Sequence, residues 1–78
     1  MMTEKEIEIL KKKFGKHLKE IRESKGLSLL RLSYNCSIDE SKISKIEHGK
    51  HNITLATLVE LARGLEVSPK KLLDFEIE

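Results

Sequence analysis

Apolar residues recur along this chain at intervals of three and four, with polar residues filling the gaps and no sustained alternation. Ile7, Leu10, Phe14, Leu18 and Ile21 form the first stripe, which predicts one long helix over residues 1–25. Thr3 followed by Glu6 is a capping-box pattern that starts it, and Gly26 closes it. Ser28 and Asp39 each stand just before a run of helical spacing, where a short side-chain oxygen can accept from an orphan amide of the first turn. They predict a second helix from about Leu29 to Asn35 and a third from about Glu40 to His48, closed by Gly49. Residues 50–54 read as a loop. Thr54 caps a fourth helix with Leu55, Leu58, Val59, Ala62 and Leu65 as its stripe, while Leu61 falls toward a different side. Glu66 must end that helix without a glycine, at a small conformational cost. Ser68 and Pro69 open a fifth, short helix carrying Leu72 and Leu73. Five helices with short connections and no strand predict a compact all-α bundle forming a single domain over 1–78.

The third helix differs from the others. Ile43 and Ile46, three apart, are its only apolar residues, and Glu40, Ser41, Lys42, Ser44, Lys45 and His48 surround them. A helix pinned by so narrow a strip leaves a wide polar face free. Such a helix suits the major groove of DNA, which admits one helix and displays a donor and acceptor code.

Composition narrows the picture further. Seventy-eight residues can bury only about 60% of their unfolded surface, so modest stability is expected. No stretch of eighteen apolar residues exists and the N-terminus is charged from Glu4 onward, so neither a membrane span nor a signal peptide is expected, and the cytoplasm is the expected location. A single cysteine, Cys36, excludes an intrachain disulfide and a cysteine-based zinc site. It reads as a small buried hydrophobe ahead of the turn, sharing a face with Leu32. The formal net charge of +2 is weak evidence for a polyanion partner, and the distribution matters more than the sum. The lysines at 11, 12, 13, 16 and 19 sit mostly off the first stripe and read chiefly as a solvated face, with one or two near the helix start available to phosphate. Glu4, Glu6 and Glu8 dilute that field.

His17, His48 and His51 fall into no carboxylate–histidine–nucleophile order, and His48 and His51 lack the further ligands a metal would need, so no enzyme, metal or cofactor is expected. After the stripes are filled, Ile53, Leu61, Leu73, Phe75 and Ile77 remain as apolar residues toward the C-terminal end. They are candidates for a homodimer interface formed by the fourth and fifth helices and the tail, residues 54–78, and Leu73 suits the monomer core as well. Two symmetric half-sites would double the base readout. The acidic tail would be repelled by phosphate and should lie away from any DNA.

Residues 14–73 resemble the phage repressor and Cro type of helix-turn-helix domain, the lambda-repressor-like fold. The resemblance runs through IRESKGLS (21–28), LS (32–33), IDESKISKIEHGK (38–50) and TLATLVELARGLEVSPKKLL (54–73), about three-quarters of the chain, with the motif itself at 28–49. Within that family the sequence is most similar in appearance to restriction–modification controller proteins. The resemblance implies that helix 3 enters the major groove. It implies base-reading roles for Glu40, Ser41, Lys42 and Lys45, and phosphate contacts from His48, Lys50, His51 and Asn52. The chemistry agrees: Lys45 can donate to guanine, Glu40 can accept from cytosine, and Ser41 can serve either way. It further implies a buried ion pair between Arg22 and Glu47, which suits a half-buried carboxylate and the fork of a guanidinium.

Three positions depart from the family pattern. Leu29 stands where a glutamine often supports a phosphate contact. Ser33 replaces a smaller residue between the two helices. Ser37 stands at the position usually given to a left-handed glycine, where a side chain costs about 1 kcal/mol. The function implied is that of a sequence-specific transcription regulator binding an inverted-repeat operator as a homodimer. The alternative is an antitoxin or adaptor that uses the same fold to hold a protein partner.

Overall fold

The computed structural model describes residues 1–77; Glu78, the last of the acidic tail, lies outside the described residues. Four α-helices follow one another: α1 (Glu4–Ser24), α2 (Leu29–Asn35), α3 (Glu40–Glu47) and α4 (Leu55–Leu65). A 3-10 helix over Pro69–Leu73 follows them, and no strand occurs among the described residues. Each α-helix begins at a hydroxyl or carboxylate cap. The Thr3 hydroxyl accepts from the Glu6 amide while the Glu6 carboxylate accepts from the Thr3 amide, completing the capping box. Ser28, Asp39 and Thr54 accept from the amides of Arg31, Lys42 and Thr57.

The helix ends are equally explicit. Gly26 (φ +71°) and Gly49 (φ +74°) take the left-handed conformation after α1 and α3. In both, the next amide reaches back over the last turn: Leu27 donates to the Arg22 carbonyl at 3.2 Å and Lys50 to the Lys45 carbonyl at 2.9 Å. α4 closes in the same way, with Val67 donating to Ala62 at 3.0 Å, but the left-handed residue there is Glu66 at φ 57°.

Leu18, Leu32, Ile43, Ile46, Leu61, Leu65 and Leu72 are fully buried and form the centre of the core. Phe14, Ile21, Ile38, Leu58 and Ala62 surround them. α1 lies against α3 and the 3-10 helix, while α2 lies against α3 and α4. Two helical glycines make these crossings close. A Cβ on Gly15 would run into the backbone carbonyls of Ile46 and Glu47, and one on Gly64 would stand 2.9 Å from the Leu32 Cδ1.

Several expectations are corrected. The last element is a 3-10 helix, the form that short pieces often take; its bonds run from the Lys71 amide to the Ser68 carbonyl and from the Asp74 amide to the Lys71 carbonyl. Leu61 belongs to the core and not to an exposed interface. α4 is sandwiched between α2 and the 3-10 helix, so its buried arc is wider than one stripe. Leu55, placed in that stripe by spacing alone, is 80% exposed because the first turn of α4 overhangs the core. Ser37 is not left-handed: among the described residues only Glu66 combines a side chain with positive φ. Cys36 (φ −143°, ψ 176°) carries the chain through the turn in extended conformation, so the expected strain at Ser37 does not arise. α3 itself ends at Glu47 with His48 as its cap, one residue earlier than expected.

Candidate nucleic-acid interface

α3 is held from behind by a buried electrostatic fixture. The Arg22 Nε donates to Glu47 Oε2 at 2.7 Å and a terminal nitrogen donates to Glu47 Oε1 at 3.0 Å, a two-point fork. The other terminal nitrogen donates to the Leu27 carbonyl at 2.7 Å, so the guanidinium also ties down the end of α1. The two side chains are 9% and 3% exposed. The hydrogen bond that Arg22 donates to Glu47 raises its pKa above the ordinary value, against the opposing effect of burial. Every buried polar side-chain atom among the described residues has a hydrogen-bond partner. This pair spans α1 and α3, and with Gly15 it fixes α3 in orientation and in distance.

Locked in this way, α3 turns its other face outward. Ile43, Ile46 and Glu47 are buried, whereas Glu40, Ser41, Lys42, Lys45 and His48 are exposed. Among the described residues none of these charged groups is within 4.0 Å of an opposite charge, because Arg22–Glu47 is the only ion pair. The His48 Nδ1 donates to the Ser44 carbonyl at 2.7 Å, which leaves Nε2 facing away from the helix. Lys50, His51 and Asn52 are exposed on the loop that leaves α3. The eight residues named from sequence for DNA contact are therefore all exposed, on α3 or on the loop that follows it.

The departures from the family pattern have local explanations. Leu29 is half-buried and packs against the core, so apolar contact replaces polar contact at the start of α2. Ser33 is half-buried and donates to the Leu30 carbonyl. Cys36 is half-buried with its thiol 3.3 Å from the Leu32 carbonyl, and burial pushes its pKa up.

The apolar residues of the C-terminal end divide in two. Ile53 and Phe75 are half-buried and pack on the core, Phe75 meeting the Phe14 ring edge-on at 6.3 Å and the His17 ring at 5.3 Å. Leu73 and Ile77 are 51% and 57% exposed. Leu73 and the exposed Leu55 line one groove together with Leu10, Phe14 and Leu58. Sequence reasoning missed Leu55, Gly15 and Gly64. The glycines did carry a signal, since a glycine inside a helical pattern has no local reason to be there.

A model described as a helix-turn-helix domain matches residues 15–76. The chain belongs to the helix-turn-helix domain family. Within it, the chain is similar to restriction–modification controller proteins. Control protein C.BamHI of Bacillus amyloliquefaciens is 38% identical over 63 residues, covering 80% of this chain and 78% of that protein. The crystal structure of the controller protein C.AhdI from Aeromonas hydrophila superposes with a TM-score of 0.79 at 31% identity, over 90% of this chain and 99% of that one. The C.Esp1396I controller protein, solved as a tetramer in complex with its natural 35 base-pair operator, gives a TM-score of 0.72 at 33% identity, over 83% and 96% of the two chains.

Proposed function

We propose that this protein is a sequence-specific DNA-binding transcription regulator of the controller type, acting in the cytoplasm, without catalysis, on an inverted-repeat operator that it binds as a homodimer. The observation that carries the reading is the exposed, unpaired polar face of α3 on a helix held rigidly from behind by Arg22–Glu47. Glu40, Ser41, Lys42 and Lys45 read base edges in the major groove, while His48, Lys50, His51 and Asn52 hold phosphates and set register. Leu55, Leu73 and Ile77 are the exposed apolar residues that a second copy would cover. Similarity to a controller protein solved on its operator supports the same reading.

Selection of duplexes from a random pool at two salt concentrations tests it. An inverted repeat with half-sites about one helical turn, roughly 34 Å, apart is the expected product. Lys45→Ala is then expected to relax preference at one position by about 1–3 kcal/mol, whereas Lys50→Ala weakens all sequences alike and lowers the salt slope by about one. Recovery of no consensus, with binding that vanishes as salt rises, would leave phosphate attraction alone. One observation favours the antitoxin or adaptor alternative: Leu30 and Tyr34, four apart on the outer face of α2, are 45% and 69% exposed.

A further inference from the structure

We infer that Lys11 and Lys12 of α1, which precede the part of the chain matched by the family model, extend the phosphate-holding surface beyond the helix-turn-helix motif. The inference rests on the DNA-binding reading above and adds to it a second element of contact.

The packing of α1 against the end of α3 puts these lysines in place. Gly49, the residue that closes α3, lies directly against α1: a Cβ there would stand 2.7 Å from the Lys12 Cγ and 2.9 Å from its Cα. Only a glycine fits, both for that reason and because φ is +74°. The close approach brings the stem of Lys12 beside the loop that carries Lys50, His51 and Asn52. Lys11 lines, with His51 and Asn52, the groove whose other lining includes the apolar Leu55, Leu73 and Phe75. Five groups able to donate to a phosphate, from two elements, thus border one stretch of surface. Neither lysine is within 4.0 Å of a carboxylate among the described residues. The nearest opposing charge along α1 is Glu8, one turn before Lys12 on the same face. It weakens the local field and leaves both ammonium groups free to swing toward a polyanion.

Lys13, the next residue, provides an internal control. It shares a face with His17, whose Nε2 meets the Lys71 carbonyl at 2.8 Å, so it lies over the C-terminal segment and away from the α3 loop.

The test compares wild type, K11Q/K12Q and K13Q as full chains, binding a selected duplex and an unrelated one across a salt series. Glutamine keeps the helix propensity and removes the charge. For K11Q/K12Q the slope of log K against log salt is expected to become shallower by about 1 to 2 on both duplexes, at about 0.9 for each phosphate no longer neutralised. The ratio of the two affinities stays unchanged. K13Q is expected to keep the wild-type slope, and E8Q to bind both duplexes more tightly. An unchanged slope in K11Q/K12Q overturns the inference, and so does an equal loss in K13Q, which would mark a mere effect of net charge. In either case, retained discrimination between the duplexes by wild type, lost on Lys45→Ala, leaves the regulator reading standing. Failure of wild type to prefer either duplex overturns both.

Discussion

Removing the Glu47 carboxylate leaves the Arg22 guanidinium buried without a counter-charge, the costly half of a buried ion pair. Glu47→Ala is therefore expected to destabilise the fold by about 3–5 kcal/mol, read as a shift of the chemical-denaturation midpoint. A midpoint within error of wild type would refute the role given to the pair. Because its folded pKa is raised, Arg22 contributes stability that is complete below the ordinary guanidinium range and lost only above it, so the guanidinium brings no pH dependence near neutrality. Cys36 has the same sign at lower pH. Burial favours its neutral thiol, so its contribution is present below the ordinary thiol pKa and fades as pH rises through the higher folded value. Alkylation of Cys36 is expected to be slow in the folded chain and to reach half its limiting rate at higher pH than in denaturant. Coincident pH profiles would disprove the shift.

At the scale of elements, two helix features conflict with local propensity and identify where tertiary contact prevails. Alanine is the better helix former, yet Gly15→Ala would push a methyl into the carbonyls of Ile46 and Glu47. The expected loss is about 1–3 kcal/mol, typical of overpacking, together with weaker operator binding as α3 shifts outward. A calorimetric melt shows it; a stabilised Gly15→Ala would mean that α1 and α3 do not approach so closely. Glu66 presents the opposite case. It occupies the left-handed closure of α4 with no glycine, so Glu66→Gly is expected to stabilise by about 1 kcal/mol, with binding unaffected. The caps at Thr3, Ser28, Asp39 and Thr54 were legible because they depend on neighbours within three residues. The course of the turn at Ser37 was not, because several backbone routes join α2 to α3 and the packing of Ile38 into the core selects one.

For the whole molecule, Leu55 and Leu73, exposed on one groove, are apolar residues that a monomer leaves uncovered. Leu73→Glu combined with Leu55→Glu is expected to convert a dimer to monomer in sedimentation at micromolar concentration, without loss of helix content. Since both side chains are outside the core, a collapse of the fold would contradict their placement. Operator affinity should fall much more steeply than it does for Lys50→Ala, because the two half-sites are no longer held by one linked pair of recognition helices.

The sequence by itself determined the order of the helices, their caps, the narrow strip that frees one face of α3, and the grouping of Glu40, Ser41, Lys42 and Lys45 upon it. These follow from periodicity and from interactions within one or two turns. Tertiary structure alone decided that Leu61 lies inside while Leu55 lies outside, because each depends on where α4 overlaps α2 and the 3-10 helix. It alone brought Lys12 to Gly49, and it made the Arg22–Glu47 pair that the family resemblance implied and no local spacing could show; both need α1 to cross the end of α3 at the distance that Gly15 permits.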